Sequence, residues 1–191
     1  RLNVNEARGE LKVESSNVVL DLPQVFQAPI ALDRVQSVVK WERRDGKTSV
    51  RIEQLEFANA DAMGSASGTY RTTGQGQGEI DIVAQALRVD ARQVHRYLPR
   101  SINDATRDWL RTALAAGAAS EARLKVAGNV VEFPFANGKG GQLVITARAK
   151  GVTLAYAEGW PPIEAIDGDV RIDGARLKID ALRGHAFGVD I

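Results

Sequence analysis

An alternating stretch near the end of the chain decides its fold class: Ala165-Ile166-Asp167-Gly168-Asp169-Val170-Arg171-Ile172-Asp173. Successive side chains of a β-strand point to opposite faces, so the aliphatic residues are expected on one face and the charged residues on the other. The same rhythm recurs in the segments 79–82, 121–126 and 176–181. Strands of this kind build a sheet with one apolar and one polar face. The sequence therefore predicts a mainly β protein whose function depends on what covers the apolar face.

The alternating apolar positions are the candidate site residues. They are aliphatic and recur with a period of two, and they comprise Ile80, Ile82, Leu124, Val126, Leu143, Ile145, Val170, Ile172, Leu177 and Ile179. We expect them to line a curved antiparallel sheet that forms an elongated apolar groove. A closed β-sandwich is the alternative, because alternation cannot distinguish a sealed core from an open groove. An open groove would expose more contiguous apolar surface than a monomer usually does.

Turn signals separate the strands. Asp45-Gly46 and Asp173-Gly174 are typical of hairpin turns, and the run Gly74 to Gly78 is typical of a flexible connection. The alternation after Ser49 slips by one residue at Gln54, which indicates a β-bulge. These signals favour strands that follow one another closely along the chain.

A helical insert interrupts the strands. Asp90 is expected to cap a short helix that ends before Pro99, and Ser101 to Asp104 resembles a capping box for a second helix. That helix should run to about Ala116 and stop at Gly117. The chain therefore divides into a strand segment at 1–89, a helical insert at 90–117 and a strand segment at 118–191. Both ends of the sequence fall within alternating runs, so we interpret the three parts as one continuous fragment of a larger protein.

The insert is amphipathic. We expect four of its residues to pack on the sheet, namely Val94, Leu98, Trp109 and Ala113. The polar side of the second helix would carry Asp104, Arg107, Asp108 and Arg111. Two further segments, Trp160-Pro161-Pro162 and Phe133-Pro134-Phe135, place rings beside prolines; we expect these rings to pack locally, with a lipid-contacting lip as the alternative.

Composition excludes several functions. Lys and Arg total 25 against 24 Asp and Glu, and these charges are interspersed, which argues against a nucleic-acid surface. The absence of cysteine removes disulfides, thiolate metal sites and cysteine nucleophiles. No run reaches the roughly 18 apolar residues of a membrane-spanning helix. The sequence also shows no basic-then-apolar leader.

Catalytic and metal-binding patterns are weak. His95 and His185 lie too far apart in the sequence to suggest a metal site, and no G-x-S-x-G elbow occurs. Asp167, Asp169 and Asp173 are expected on the solvated face of a strand rather than around a cation. We therefore expect no enzyme activity, no cofactor and no bound metal.

A resemblance to a known family rests on four ordered segments. They are Val94-His95-Arg96-Tyr97-Leu98-Pro99; Trp109-Leu110 with Ala113 and Gly117; Phe133-Pro134-Phe135 with Gly138; and Leu154-Ala155-Tyr156 with Gly159-Trp160-Pro161. In this order and spacing the chain resembles the YhdP family of AsmA-like proteins, over about residues 90–172. The family belongs to Gram-negative bacteria and is similar to TamB and to the bridge-like lipid-transfer proteins.

The resemblance implies a function. It implies an internal segment of a periplasmic protein that is anchored in the inner membrane and carries phospholipid toward the outer membrane along an apolar β-groove. The partners would be phospholipid acyl chains, together with both membranes through parts of the protein outside this chain. A β-sandwich that serves as a scaffold or protein-interaction module is the alternative function. The resemblance brings no catalytic residues.

Overall fold

The computed structural model describes residues 2–4, 7–74, 77–136 and 138–190. Within these residues one antiparallel sheet holds eleven strands in chain order. The strands are β1 (Leu2–Val4), β2 (Arg8–Leu20), β3 (Ile30–Arg44), β4 (Lys47–Ala58), β5 (Ala62–Arg71), β6 (Glu79–Asp90), β7 (Leu114–Asn129), β8 (Gly141–Leu154), β9 (Ile163–Asp173), β10 (Arg176–Ala186) and β11 (Val189–Asp190). Three helical segments accompany them: a 3₁₀ helix at Ala91–Tyr97, the α-helix α1 at Asp104–Ala113 and a 3₁₀ turn at Val130–Glu132.

The sheet is open and curved. Each strand pairs only with its neighbours in the chain, and no pairing joins the first strand to the last among the described residues. The predicted curved antiparallel sheet is therefore confirmed, and the alternative of a closed β-sandwich is wrong, because the described residues form a single sheet. The accessible surface is 12449 Å², whereas a globular protein of this mass exposes about 8,900 Å². A single sheet leaves much of both faces in water.

Local turn chemistry follows the sequence. Asp45 and Gly46 both have positive φ, 52° and 73°, as a two-residue hairpin turn requires. The predicted bulge is present, because Val38 pairs with Gln54 while Val39 pairs with Ile52, which leaves Glu53 as the extra residue. Gly174, with φ of 56°, begins the turn between β9 and β10. In the glycine-rich connection before β6, residues 75 and 76 lie outside the described part of the chain.

The helices begin and end differently from expectation. Asp90 caps the 3₁₀ helix as predicted, accepting a hydrogen bond from the Arg92 amide. The cap of α1 is Asn103, whose Oδ1 accepts a hydrogen bond from the Thr106 amide at 2.8 Å. The predicted capping box at Ser101 is therefore wrong, because Asn103 still has an extended backbone (φ −62°, ψ 153°) and the helix begins only at Asp104.

The predicted end of α1 is also wrong. The helix stops at Ala113, and Gly117 lies within β7. Its φ is +99°, and a Cβ there would stand 2.5 Å from the Val152 Cα on β8. Gly117 thus allows the close approach of two strands at an irregularity in their register, rather than a helix stop.

Among the described residues, three apolar clusters take the place of one central core. The first contains Ala91, Ala149, Val152 and Ile166. The second contains Ile30, Leu32 and Val35. The third contains Val126, Phe135 and Leu143. The first two lie at the end of the sheet where β3 and β9 begin, which we call the insert end, and the third lies at the opposite end.

Candidate functional site

One row of side chains crosses almost the whole sheet. Directly paired residues of antiparallel strands point to the same face, and an unbroken series of such pairs joins β2 to β10. This central row consists of Val13, Ser37, Leu55, Ala66, Ala84, Leu124, Ile145, Ile172 and Leu177. Nine strands at about 4.8 Å spacing make it about 38 Å long. Ser37 is its one polar member, and it is buried.

All ten residues predicted as site residues lie on the face that carries the central row, which we call the apolar face. Ile82 pairs with Val126, and Val126 pairs with Leu143. Val170 pairs with Ile179, one step along from the pair Ile172 and Leu177. Ile80 packs against the same cluster as Ile82 and Leu124. The structure thus brings residues from five strands into one continuous surface.

The first strands extend this face beyond the predicted residues. A second row runs from Leu11 through Val39, Ile52 and Gly68 to Ile82. The alternation of Leu11 and Val13 was visible in the sequence, but the bulge at Glu53 shifts the phase of β4. Only the structure shows which residues of β2, β3, β4 and β5 pair with one another.

The middle of the apolar face is lined by small residues. β5 contributes Gly64, Ala66 and Gly68, and the facing residues of β6 are Ala84 and Ala86 next to Ile82. Larger side chains stand on β4, where Leu55 and Phe57 pair with Ala66 and Gly64. On the apolar face, β5 therefore carries a strip of small residues, and the neighbouring β4 carries larger side chains.

The apolar face is accessible away from the ends of the strands. Ile52, Ile82, Leu124 and Ile145 are only partly buried. On β10, Leu177 is 52% exposed and Ile179 is 39% exposed. Groups of this kind, left in water along a continuous surface, are typical of a site that receives an apolar ligand or partner.

The helical insert covers the apolar face at the insert end. Ala91 belongs to the cluster with Ala149, Val152 and Ile166, against which Val170 of the apolar face also packs. Tyr97 packs against the cluster of Ile30, Leu32 and Val35, as do Val13 and Leu55 of the central row. The 3₁₀ helix thus links residues of β8 and β9 to residues of β3.

A phenylalanine loop covers the opposite end. Phe135 is buried with Val126 and Leu143, and its ring meets that of Phe133 edge to face at 5.9 Å between centroids. The expected local packing of this segment is confirmed. Expected packing is wrong for Trp160, which is 65% exposed, and Tyr156 beside it is exposed as well. Trp160 lies in the loop between β8 and β9, where most of its surface stays in water.

The four residues that were expected to pack the insert on the sheet differ in how deeply they are buried. Ala113 is completely buried, whereas Val94, Leu98 and Trp109 are half-buried. The Trp109 Nε1 donates a hydrogen bond to the Tyr156 carbonyl at 3.0 Å, and the two rings stand edge to face. This contact attaches α1 to the loop between β8 and β9.

The prediction that Arg107 lies on the polar side of α1 is wrong. Arg107 is only 7% exposed. Its guanidinium donates hydrogen bonds to four main-chain carbonyls, those of His95, Leu98, Pro99 and Ile102, at 3.0–3.4 Å. His95 lies in the last turn of the 3₁₀ helix, and the other three residues lie in the connection to α1. The charged side chain can turn inward because these carbonyls supply the hydrogen-bond partners that a buried guanidinium requires.

The opposite face of the sheet is charged. Lys40 contacts Glu53 at 2.8 Å and Glu10 at 3.7 Å, and Arg148 contacts Glu121 at 3.0 Å. The hydrogen bond that Lys40 donates to Glu53 raises the pKa of Lys40 above its ordinary value. Exposed pairs of this kind contribute little to stability individually, but they keep this face in water and leave the other face for apolar contacts.

The histidines have local partners. His95 Nδ1 lies 2.9 Å from the Arg92 carbonyl, and His185 Nδ1 lies 2.9 Å from Asp190 Oδ1. Asp167 accepts hydrogen bonds from the Gly151 amide and from Arg183, and these contacts lower its pKa. The described residues contain no group of three or more His, Asp or Glu placed to hold a metal ion. None of the helices in the described ranges is long and apolar enough to cross a membrane.

Comparison with known proteins gives two matches. A sequence model of the YhdP protein family matches residues 1–191. The protein named intermembrane phospholipid transporter YhdP, of Escherichia coli (strain K12), is 25% identical over 183 residues, which cover 91% of this chain and 14% of that protein. The chain therefore spans a small part of the length of the curated relative that it matches. No solved structure matches the chain.

Proposed function

The chain belongs to the YhdP family, and on that premise we propose that it is a segment of a periplasmic bridge that carries phospholipid between the inner and outer membranes. The apolar face would hold the acyl chains while the headgroups stay in water. We propose that other parts of the protein anchor it in the inner membrane and make the contacts with both membranes. The name of the Escherichia coli relative supports the phospholipid cargo.

The observation that carries the proposal is the central row across nine strands. Burial of hydrocarbon stabilises by about 0.8 kcal/mol per methylene, so ten methylenes in contact would contribute on the order of 8 kcal/mol before the costs of ordering the chain. A row without charged members imposes no unpaired polar group on the lipid. Since apolar contact is non-directional, a chain can move from one strand to the next without breaking specific bonds.

The strip of small residues on β5 supports the same use. Gly64, Ala66 and Gly68 carry no side chain larger than a methyl group, and Leu55 and Phe57 of β4 supply larger apolar side chains on one side. An acyl chain that enters this strip touches more apolar area than it would on a flat surface. The open β10, with Leu177 and Ile179 exposed, would receive or release the chain.

Site-specific photocrosslinking along β10 tests the proposal. A benzophenone amino acid is placed in turn at four consecutive exposed positions, 177, 178, 179 and 180, in the full-length protein in cells. Leu177 and Ile179 lie on the apolar face, whereas Lys178 and Asp180 lie on the other face and pair with each other. Irradiation followed by mass spectrometry should find phospholipid joined at 177 and 179 only.

The controls in this experiment are matched, since neighbouring positions of one strand differ mainly in the face they occupy. Phospholipid adducts at all four positions would indicate unspecific labelling and contradict the proposal. Adducts at none of them would contradict it as well.

A further inference from the structure

We infer that residues 91–113, the insert, form a hinged lid over the apolar face, with its hinge at β6 and β7 and a latch at β3 and the turn between β4 and β5. This inference deepens the proposed function, because an open lid would add Ile30 and Leu32 to the accessible apolar face. The lid is inferred from contacts between residues of this chain, and these contacts do not involve a lipid.

The hinge follows from the way the insert leaves and re-enters the sheet. β6 ends at Asp90 and β7 begins at Leu114, and these strands pair with each other up to Asp90 and Ala118. Leu114, where the chain re-enters β7, pairs with Leu154 of β8, so one stem of the insert continues from β6 and the other is held by the β7–β8 pair. Next to them, Ala91 and Ala113 are buried, and the Ala155 amide donates a hydrogen bond to the Ala113 carbonyl. The stems are fixed to the sheet by strand pairing and apolar packing.

The tip of the insert is held differently. The Tyr97 ring packs over Ile30, Leu32 and Val35, while its hydroxyl contacts Asn59 at 2.8 Å and donates to Asp61 at 3.1 Å. Arg96 pairs with the same Asp61 at 2.5 Å. Apart from the one ring, these latch contacts are polar.

The next residues of the tip rest on the loop between β2 and β3. The Arg100 amide donates to the Val25 carbonyl at 2.7 Å, and the Gln27 side chain donates to Asp104 at 3.0 Å. Both side chains of the second pair are exposed, so water competes for this bond. The tip is therefore the weaker attachment, and the stems are the stronger one.

The insert moves as a unit because Arg107 holds its two helices together. The guanidinium of α1 reaches the carbonyls of His95 and Leu98 at the end of the 3₁₀ helix. Opening at the latch would thus lift both helices while the stems remain in place.

Thiol labelling measures the opening directly, since the chain contains no cysteine. A Leu32→Cys reporter lies beneath the Tyr97 ring, where Leu32 is 5% exposed, and a Val126→Cys reporter lies beneath Phe135 at the opposite end, equally buried. Tyr97→Phe keeps the ring and removes the hydroxyl from the latch. We expect it to raise the maleimide labelling rate of the Leu32→Cys thiol about tenfold, because two hydrogen bonds are lost.

Two controls keep the result specific. Labelling of the Val126→Cys thiol should not change in the Tyr97→Phe variant. Tyr70→Phe removes a comparable hydroxyl, which donates to the Gln77 carbonyl far from the latch, and should leave both thiols at their starting rates. The inference is overturned if Tyr97→Phe leaves the Leu32→Cys thiol unchanged, or if it accelerates both thiols equally. No lipid enters the assay, so its outcome is separate from that of the photocrosslinking.

Discussion

Replacement of Arg107 by methionine should melt the insert while the sheet stays folded. The side chain is almost fully buried and donates three hydrogen bonds of 3.0–3.2 Å and a longer one of 3.4 Å to main-chain carbonyls. Methionine has a similar length and is apolar, so the packing volume is largely kept. The change therefore isolates the hydrogen bonds of the guanidinium.

The size of the effect follows from those bonds. Each hydrogen bond from a charged donor contributes about 1.5 kcal/mol, so three good ones contribute about 4.5 kcal/mol. The Nε of Arg107 is buried without a partner among the described residues, and its desolvation offsets about 1–2 kcal/mol of this. A net loss of about 3 kcal/mol remains, which corresponds to a factor on the order of 100 in the local opening equilibrium.

Hydrogen exchange followed by mass spectrometry is the suitable assay. Amides of 91–113 should exchange on the order of 100-fold faster in Arg107→Met, while amides near Val126 and Leu143 keep their protection. Arg107→Lys is the graded control. The lysine ammonium donates up to three hydrogen bonds but cannot match the forked geometry of the guanidinium, so the exchange rate of the insert should lie between those of the native protein and Arg107→Met. Unchanged protection of the insert, or equal loss throughout the sheet, would refute the role assigned to Arg107.

Three further predictions concern stability. Phe135→Ala should lower the free energy of unfolding by about 3–5 kcal/mol in chemical denaturation, because it empties the cluster with Val126 and Leu143; Val131→Ala, at a 58% exposed position, should cost less than about 0.5 kcal/mol. Gly117→Ala should lower the free energy of unfolding by more than about 2 kcal/mol in the same denaturation assay, because its Cβ would meet the backbone of β8. Gly151→Ala is the control: its φ is +59° but the space around it is open, so it should cost about 1 kcal/mol. Equal costs for the two variants would contradict the close approach of β7 and β8. Burial raises the pKa of Tyr97 above its ordinary value of 10.0. The stability that the neutral hydroxyl contributes is therefore complete below pH 10 and is lost as the pH rises through the higher pKa of the folded state. Melting temperatures should fall more steeply at high pH in the native chain than in Tyr97→Phe.

The strands and turns could be predicted because they depend on short-range rules. A period of two assigns each side chain of a strand to a face, so Ile172 and Leu177 could be placed together once the turn at Gly174 was recognised. Asp45-Gly46 specifies its hairpin through positive φ at both positions. These features lie within a few residues of sequence, where backbone conformation alone decides the outcome.

The helical insert was predicted less well, for a reason visible in its residues. Arg107 looks like a surface residue in a helical projection, yet it is buried, because its guanidinium donates to the carbonyls of Leu98 and Pro99 in the connection between the two helices. Those partners lie outside α1, so the periodicity of α1 carries no sign of them. Asn103 is the cap in place of Ser101, since a turn from Pro99 to Ile102 precedes the helix and α1 begins only at Asp104.

By itself the sequence determined most of the strands, their two faces, the hairpins and the ten predicted residues of the apolar face from β6 to β10, because each of these is set by neighbours along the chain. Only the tertiary structure decided that the sheet stays open, that its register joins Val13 to Leu177, and that Tyr97 reaches Asn59 across the insert end. Such contacts join residues far apart in the chain. The free energy of these contacts depends on which surfaces pack together in the folded protein. Hydrophobic burial, which drives this packing, is non-directional, so the pattern of residues along the chain does not specify which surfaces will pack.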